Sequence, residues 1–307
     1  MKILVCGGTG FVGRNTVEHF LRLGYEVHAT CYRRDPYDGP VWHTLNLCEQ
    51  SPVAELFENN KFDVVIQAAA ATTGCKDTLN DPAMHIATNA VMNSFIFRAA
   101  MLAGVGHVIF PSCSVMLPDG FNTEDTEPQV NDKYYGFAHT KLFCENMCKF
   151  YSMCSDTRFT VFRNTNFFGK YDKYDLDRSH FLGATITKVM QAEDHITLWG
   201  DGQERRDFLP VQEFCRIVEA AIANQKTKFE LFNCGSGVAM KIQEAAEKIV
   251  ALSGKNLRID YDTSKPTIKT SLSLDCSKAK ELIGWEPVIS FEDGIRETLG
   301  WYKENVQ

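Results

Sequence analysis

The chain begins with a strand-length apolar run that leads directly into a glycine-rich turn. The segment KILVCGGTGFVGRNTVEHFLRLGYEV places Gly7, Gly10 and Gly13 between this run and a stretch with helical periodicity. Between a strand and a helix, the first glycine permits a tight turn, the second lets the backbone approach a pyrophosphate, and the third lets helix and sheet pack closely. The helix N-terminus then offers free N–H groups to phosphate oxygens. The pattern predicts a dinucleotide site, and its alternative is a purely structural turn.

Four more apolar runs predict further buried strands. Together with the first, the runs cover residues 3–5, 27–30, 64–66, 108–110 and 160–162, and segments of helix length with a period of 3.6 residues lie between them. Alternating strands and helices predict an α/β fold with a doubly wound parallel sheet of the Rossmann type. The pattern loosens after Phe168. We therefore predict a cofactor-binding domain over residues 1–168 and a smaller α/β substrate lobe over residues 169–307, with some later segments returning to the first domain.

The net charge and the cysteine content indicate which binding partners and which cellular compartment to expect. The net charge of −7 over 307 residues argues against nucleic-acid or membrane-surface partners held by bulk electrostatics. No signal-type segment or apolar 20-mer is found, which predicts a cytoplasmic protein. The eleven cysteines follow no framework spacing and are expected to be free thiols. Cys144 and Cys148 are spaced as helix neighbours, but helix packing is preferred over a metal site, and no metal is predicted.

The end of the second predicted strand bears on the choice of cofactor. An NAD site usually carries an acidic residue there, whereas this chain has HATCYRR, with Cys31 at about that position. Arg33 and Arg34 follow, and arginine is a bidentate donor suited to a 2′-phosphate. The sequence predicts NADP(H), with two solvated arginines as the alternative.

Four motifs along the chain support a family resemblance. They are GGTGFVG, IFPSCSV, HTKLFCE, and WGDGQERRDFLPV followed by FNCGSG. The chain resembles the extended short-chain dehydrogenases/reductases of the nucleotide-sugar epimerase/dehydratase group. Within that group it is similar to the GDP-L-fucose synthase-like 4-keto-sugar epimerase/reductases, because His180 follows the turn of Asn166, Phe168 and Gly169 at the spacing of that subfamily.

The resemblance implies a cofactor pocket and a homodimer. The implied cofactor residues, besides the three glycines and the two arginines, are Thr9, Phe11, Val12, Asn46, Leu47, Ala68, Ala69, Ala70, Lys141 and Asn166. Gln67 and Asn89 occupy positions where relatives line the same pocket. The helices predicted over residues 89–103 and 138–151 are those through which relatives often dimerise as a four-helix bundle.

The implied catalytic residues depart from the family pattern at the proton donor. Lys141 would bind the nicotinamide ribose and lower the pKa of a nearby phenol, and Ser112 would hydrogen-bond the ketone oxygen. The family tyrosine lies four residues before the lysine, where this chain has Phe137. Tyr135, with Tyr134 beside it, is the predicted substitute, although a regular helix places Tyr135 about 240° around from Lys141. The alternative is that Tyr135 is a packing aromatic.

Two further positions bear on the type of reaction. His180 matches the histidine that serves as acid or base beside the sugar in epimerising relatives. Those relatives also use a cysteine two residues after the serine, whereas this chain has Cys113 and then Ser114 after the serine, so double epimerisation depends on Cys113. Dehydratases of the superfamily carry an Asp-Glu pair at these positions, and its absence disfavours dehydration.

The substrate end of the chain supplies cations for a diphosphate. Arg206 matches a family arginine, Lys188 lies near another family phosphate ligand, and Lys265 and Lys269 belong to a loop that could close over a nucleotide. The leading hypothesis is an NADP(H)-dependent reductase of a 4-keto sugar linked to a nucleoside diphosphate, with GDP as the expected nucleotide. The alternatives are a nucleotide-sugar 4-epimerase, a fucose-synthase-type epimerase/reductase and a non-catalytic NADP(H)-binding sensor.

Overall fold

The computed structural model describes residues 1–72, 83–265, 267 and 269–306. The strands in chain order are β1 Lys2–Cys6, β2 Glu26–Cys31, β3 Val41–Thr44, β4 Val64–Gln67, β5 His107–Pro111, β6 Gly120–Asn122, β7 Arg158–Asn164, β8 Asn166–Phe168, β9 His195–Trp199, β10 Arg205–Pro210, β11 Phe229–Cys234, β12 Ala239–Lys241, β13 Arg258–Asp262 and β14 Ser271–Leu274. The helices are α1 Phe11–Arg22, α2 Gln50–Glu58, α3 Met84–Leu102, α4 Tyr135–Met153, α5 Phe181–Gln191, α6 Val211–Asn224, α7 Ile242–Ser253, α8 Ser277–Ile283 and α9 Phe291–Asn305.

A large parallel sheet organises the first part of the chain. Within the described residues its strand order is β11-β7-β5-β4-β1-β2-β3, and each neighbouring pair is parallel. The predicted fold class is therefore confirmed. The predicted apolar runs all lie in strands of this sheet, whereas β3 and β11 were not predicted.

The sheet is buried on both faces because its side chains alternate. In β1, Ile3 and Val5 contact one hydrophobic cluster, whereas Leu4 and Cys6 contact the other. Helices α1, α6 and α8 contribute to the first cluster, and α2, α3 and α4 contribute to the second. A parallel sheet covered on both faces is the arrangement that its continuous apolar runs require.

The later part of the chain builds a smaller lobe and also returns to the large sheet. A second sheet contains β12-β10-β14-β6 with β8 beside β10, and helices α5, α7 and α9 pack around a third cluster. However, β11 pairs with β7 from Phe229 opposite Phe159 to Cys234 opposite Asn164. The domain boundary at residue 168 stays a prediction, with residues 229–234 belonging to the first sheet.

The carboxyl ends of the parallel strands face a cleft of about 1260 Å³. This is the edge of a doubly wound sheet at which ligands bind. The described helices include none that is long and apolar enough to cross a membrane. Cys144 and Cys148 are buried in the second cluster, where they pack against apolar neighbours.

Candidate active site

The glycine turn forms one end of the cleft. Gly7 has a φ of +76°, and its carbonyl accepts a 2.9 Å hydrogen bond from the N–H of Gly10. A Cβ on Gly13 would lie 2.1 Å from the Gly7 carbonyl oxygen, so only glycine allows this approach. Helix α1 begins at Phe11 without a side-chain cap, and Thr9, Phe11 and Val12 line the cleft. An uncapped helix start beside a glycine cradle fits the pyrophosphate of a dinucleotide.

The ends of β2, β3 and β4 form the neighbouring wall. The buried Cys31 thiol contacts the Thr44 hydroxyl at 3.2 Å, so no carboxylate is present at that position. Arg33 and Arg34 are exposed and line the cleft, and Arg34 donates a 3.1 Å hydrogen bond to the carbonyl of Thr9. The predicted residues at the ends of β3 and β4 also line this wall: Asn46, Leu47, Ala68, Ala69 and Ala70.

Gln67 and Asn89, which were predicted to line the pocket, form hydrogen bonds to the backbone of the loop after β4. Gln67 donates hydrogen bonds to the Ala69 carbonyl at 3.1 Å and to Asn93 at 2.9 Å. Asn89 accepts from the Ala71 N–H at 2.9 Å and donates to its carbonyl at 3.0 Å. Neither side chain lines the cleft, so in this structure both support the loop after β4.

The Ser112 hydroxyl is committed to a buried carboxylate. It donates a 2.5 Å hydrogen bond to Glu145, which also forms a 2.9 Å ion pair with Arg163. Because a hydroxyl has one proton, Ser112 in this arrangement has none to offer a ketone oxygen. Cys113 and Ser114 also line the cleft at this strand end. Burial raises the pKa of the Cys113 thiol to about 12, which keeps it protonated at neutral pH.

The predicted proton donor Tyr135 is not brought to the cleft. Its side chain is 60% exposed and packs against the His139 ring at a tilt of 52°, with ring centroids 4.3 Å apart. Helix α4 begins at Tyr135 with regular geometry, so the residues on its cleft-facing side are Phe137 and Lys141, with Tyr134 just before the helix. The two-residue displacement that Tyr135 needed is absent, since the described helix shows no irregularity there.

Lys141 lines the cleft beside the end of β5. Its Nζ donates a 2.8 Å hydrogen bond to the Pro111 carbonyl and lies 4.6 Å from the centroid of the Phe110 ring. Burial lowers the pKa of Lys141, and the nearby thiols and Glu145 oppose that shift.

The part of the cleft that the smaller lobe lines, called the substrate wall below, carries three cations: Lys173, Arg205 and Arg206. His180 immediately precedes α5 and is exposed in the open cleft. Desolvation by the surrounding cleft walls, followed by the charges of Lys173 and Arg206, lowers its pKa. Its imidazole is therefore neutral at pH 7. Arg206 lies 3.6 Å from Glu204, and its buried Nε has no hydrogen-bond partner among the described residues.

Lys173 and Asp172 were missed by the sequence reasoning. Lys173 donates a 2.8 Å hydrogen bond to the Thr72 carbonyl and lines the cleft, as does Asp172, whose pKa burial raises to about 7. Their neighbour Tyr171 has a φ of +67°, a left-handed conformation that is uncommon for a non-glycine residue. The polar stretch GKYDKYDLDRSH marked this segment, but only His180 had been selected from it.

The other residues predicted to bind the substrate do not all line the main cleft. Asn166 lines the cleft and donates a 3.0 Å hydrogen bond to the Asp207 carbonyl. Lys269 also lines the cleft, whereas Lys265 does not. Lys188 lies in a separate pocket of about 380 Å³ beside Trp199 and donates a 2.7 Å hydrogen bond to the Thr197 carbonyl. The structure therefore does not place Lys188 with the diphosphate cations of the main cleft.

Cations outnumber anions along the cleft although the chain as a whole is acidic. The lysines and arginines that line it are Arg33, Arg34, Lys141, Lys173, Arg205, Arg206 and Lys269. The carboxylates that line it, within the described part of the chain, are Asp119 and Asp172. A cleft with this charge attracts a ligand that carries several negative charges.

The chain was compared with known proteins. The family model described as NAD dependent epimerase/dehydratase family matches residues 3–235. GDP-L-fucose synthase of Azorhizobium caulinodans is 27% identical over 310 residues, covering 98% of this chain and 96% of the relative. UDP-glucose 4-epimerase of Thermotoga maritima, solved with UDP-glucose, superposes with a TM-score of 0.89 at 21% identity and covers 100% of both chains. UDP-glucose 4-epimerase of Bifidobacterium longum, solved with NAD+ and UDP, has a TM-score of 0.85 at 18% identity, covering 100% of this chain and 99% of that one.

Proposed function

The chain belongs to the NAD-dependent epimerase/dehydratase family, and on that premise we propose that it reduces a 4-keto sugar linked to a nucleoside diphosphate, with NADP(H) as the hydride source. The observation that carries this proposal is the single cleft that the glycine turn, Lys141 and His180 line together. Such a cleft can bring a dinucleotide and an anionic sugar nucleotide together. The GDP-L-fucose synthases among its relatives support GDP as the nucleotide.

The preference for NADP(H) is supported by the charge at the end of β2. Cys31 stands where a carboxylate would bond the ribose hydroxyls of NAD, and a carboxylate there would repel a 2′-phosphate. Arg33 and Arg34 reach the same part of the cleft.

The diphosphate is assigned to the cations of the substrate wall. The Nε of Arg206 has no partner among the described residues, and Lys173 and Arg205 line the same cleft. Charge-assisted hydrogen bonds from such groups to phosphate oxygens are among the stronger polar contacts in proteins. We propose that Arg206 and Asn166 bind the sugar nucleotide and that Lys188, with the exposed Trp199, forms an outer subsite.

The residues around the reacting carbon have different roles in the proposed reduction. Bound NADP(H) supplies a hydride to a carbonyl carbon. Lys141 is assigned to the nicotinamide end of the cleft, where its Nζ donates a hydrogen bond to the Pro111 carbonyl. Cys113 and Ser114 line the cleft just after the end of β5. His180 lines the cleft on the sugar side, where its imidazole can hydrogen-bond a sugar hydroxyl.

Two other functions are weighed against this one. A 4-epimerase or an epimerase/reductase would use the same cleft, and His180 with Cys113 is the pair that such a reaction would require. A non-catalytic NADP(H) sensor is the reading that Phe137 favours, because phenylalanine cannot donate a proton. The cations of the substrate wall argue against a pure sensor, which has no need of them.

We also propose that the protein is a homodimer formed through α3 and α4. These helices pack on one another, and their outer faces expose Val91, Leu102, Phe143, Phe150 and Met153. Exposed apolar side chains grouped on adjacent helices are typical of an interface. Phe143→Glu and Phe150→Glu together should give a monomer in sedimentation, and a monomeric wild type would contradict the proposal.

Turnover with defined substrates tests the proposed function. The protein is incubated with NADPH or NADH and a panel of GDP- and UDP-linked 4-keto-6-deoxyhexoses, and cofactor consumption and product mass are followed. A reductase consumes one NADPH for each reduced sugar, whereas an epimerase converts the sugar without net consumption. Tight binding of NADPH without turnover of any sugar would favour the sensor.

A further inference from the structure

Arg14 connects the start of α1 with two distant parts of the chain. It comes directly after Gly13 of the glycine turn, and its N–H donates a 2.8 Å hydrogen bond to the Gly10 carbonyl. Its guanidinium carbon lies 4.3 Å from the centroid of the Tyr37 ring and 3.9 Å from the centroid of the Tyr171 ring. One side chain next to the glycine turn therefore contacts both the segment after β2 and the segment after β8.

Tyr171 has a backbone conformation that is unfavourable for a residue with a side chain. Its φ is +67°, and no other non-glycine residue in the described part of the chain has a positive φ. Its hydroxyl donates a 2.6 Å hydrogen bond to Glu18, and its ring contacts the Arg14 guanidinium. The ring also meets Trp301 edge to face, with centroids 5.0 Å apart. Strain of this kind persists where the surrounding contacts determine the conformation, and it is concentrated at functional sites.

The segment around Tyr171 is also attached to the first part of the chain on either side of this residue. Before Tyr171, the side-chain amide of Asn15 in α1 donates a 2.8 Å hydrogen bond to the Lys170 carbonyl. After it, the Nζ of Lys173 donates a 2.8 Å hydrogen bond to the Thr72 carbonyl in the loop after β4. The segment is therefore tied both to α1 and to the loop after β4.

The two residues that follow Tyr171 lie in the cleft. Asp172 and Lys173 both line it, and Lys173 belongs with Arg205 and Arg206 to the cations of the substrate wall. Because the backbone has only two soft dihedral angles per residue, the φ of one residue redirects the side chains that come after it. The left-handed conformation of Tyr171 thus determines where the Lys173 ammonium lies.

A contribution to folding stability is the alternative role for these contacts. Glu18 accepts a hydrogen bond from the Nε of Arg14 at 3.4 Å and another from the Tyr171 hydroxyl. The side chains of Arg14 and Glu18 are 35% and 31% exposed, and ion pairs open to solvent contribute little to stability. The conformation of Tyr171 itself opposes folding. Positioning of Lys173 accounts for both the contacts and the strain, whereas stability accounts for neither.

We propose that Arg14 and Tyr171 are positioning residues that hold Lys173 at the diphosphate of the bound sugar nucleotide. This inference rests on the proposed function, because it concerns the substrate site of the same reductase. Arg14 and Glu18 hold the Tyr171 side chain on α1, and the left-handed turn at Tyr171 directs Lys173 into the cleft. The sugar-nucleotide site is thereby anchored on the helix whose start is proposed to receive the pyrophosphate of the dinucleotide.

Binding of GDP and UDP to the protein loaded with NADP+ tests the inference without turnover, with dissociation constants from calorimetry. Lys173→Gln should weaken nucleotide binding at least about tenfold, because a charge-assisted hydrogen bond to phosphate is lost. Tyr171→Gly removes the side chain that Arg14 contacts and leaves a residue that adopts a positive φ without strain. It should weaken nucleotide binding at least about fivefold, while NADPH binding stays within about twofold of the wild type.

The double variant, which combines Tyr171→Gly with Lys173→Gln, separates positioning from direct contact. If Tyr171 acts through Lys173, the double variant should bind the nucleotide within about twofold of Lys173→Gln alone, because the lysine is no longer there to be positioned. Losses that multiply would show that Tyr171 acts independently of Lys173, and the inference would fail.

Arg14→Met tests the same contacts without changing the backbone of the segment. It removes the cation from the Tyr171 ring and should weaken nucleotide binding at least about threefold. This variant decides the question should Tyr171→Gly not fold. Arg22→Met, at an exposed arginine in the last turn of the same helix, is the matched control and should leave nucleotide binding unchanged.

The outcomes distinguish the inference from the proposed function. Nucleotide binding unchanged in Arg14→Met or in Lys173→Gln would overturn the inference, as would an equal loss of NADPH and nucleotide binding in Tyr171→Gly. If the variants behave as expected but no 4-keto sugar is reduced, the positioning role stands and the proposed reaction fails. If the wild type binds neither GDP nor UDP, the proposed substrate class fails and the inference fails with it.

Discussion

The hydroxyl of Ser112 donates a 2.5 Å hydrogen bond to Glu145 although 33 residues separate them in the chain. The end of β5 and the middle of α4 are thereby joined beneath the cleft, and Arg163 of β7 completes the link through its ion pair with Glu145. Three elements that shape the proposed active site thus share one buried polar network.

Glu145→Gln should destabilise the protein strongly. The substitution leaves the buried Arg163 charge without a charged partner, and breaking a buried pair in this way costs about 3–5 kcal/mol. Urea unfolding of the two proteins gives the difference. Glu286→Gln, which removes an exposed partner of Lys280, is the control and should change stability by less than about 1 kcal/mol. Equal effects of the two substitutions would contradict the role given to the network.

Gly13→Ala should abolish dinucleotide binding. The new methyl group would lie 2.1 Å from the Gly7 carbonyl oxygen, so the turn and the start of α1 must move apart. Fluorescence titration with NADPH measures the effect. Gly300→Ala is the matched control, because nothing lies within 4 Å of its added methyl group in α9. It should leave binding unchanged and stabilise the helix by about 0.5–1 kcal/mol.

Replacing Arg33 and Arg34 together by alanine should change the preference between the two cofactors. Charge-assisted hydrogen bonds contribute about 1.5–3 kcal/mol each, so NADPH should bind at least about tenfold more weakly. NADH binding should change little because it lacks the 2′-phosphate. The dissociation constants of both cofactors measure this change in preference. Arg296→Ala, at a residue that does not line the cleft, is the control. An equal loss for NADH would show that the arginines do not recognise that phosphate.

Tyr135→Phe should leave turnover within about twofold of the wild type. The Tyr135 side chain is exposed and packs against the His139 ring, and the substitution keeps the aromatic ring of residue 135. A loss of turnover of about 100-fold or more, the low end of what a lost general acid costs, would return Tyr135 to the mechanism as the displaced proton donor.

His107 should make the protein sensitive to acid. Burial lowers its pKa to about 3, and its Nε2 lies 2.7 Å from the Thr160 hydroxyl. The unfolded chain takes up a proton near pH 6.5, so the stability that His107 contributes is complete above that pH. It is lost as the pH falls from about 6.5 toward 3, with a slope of at most about 1.4 kcal/mol per pH unit.

The measurement compares unfolding free energies at several pH values between 7 and 4. His107→Gln, which has no group that titrates in this range, should show a shallower decline than the wild type. An identical decline for the two proteins would assign the acid sensitivity to other groups.

Local patterns in the sequence were enough to predict the fold class and the first strand, glycine turn and helix of the chain. Gly7, Gly10 and Gly13 depend on contacts within one turn and one helix, and the apolar runs depend on burial alone. Strand β3 was missed because its side chains are exposed or half-buried, which leaves no continuous apolar run. Strand β11 was missed because it returns to the first sheet after a long excursion.

The fine structure of the site depends on contacts that are distant in sequence. Nothing in IFPSCSV shows that Ser112 will donate to Glu145, since the partner lies on another element. The helical period correctly placed Tyr135 away from Lys141, and the structure adds that Tyr135 is exposed. Nothing in the sequence favoured Lys173 over the other polar residues of its segment. Its position in the cleft depends on the hydrogen bond from its Nζ to the carbonyl of Thr72, which is distant in sequence.

The transfer of deuterium from NADPH that carries deuterium at both hydrogen positions of nicotinamide C4 tests the central claim most directly. The protein is incubated with labelled NADPH and the GDP-linked 4-keto-6-deoxyhexose, and the product is examined by NMR. The account predicts one deuterium on the sugar carbon that was the ketone, with one NADP+ formed for each product. A product without deuterium, or labelled NADPH left intact beside unreacted sugar, would contradict it.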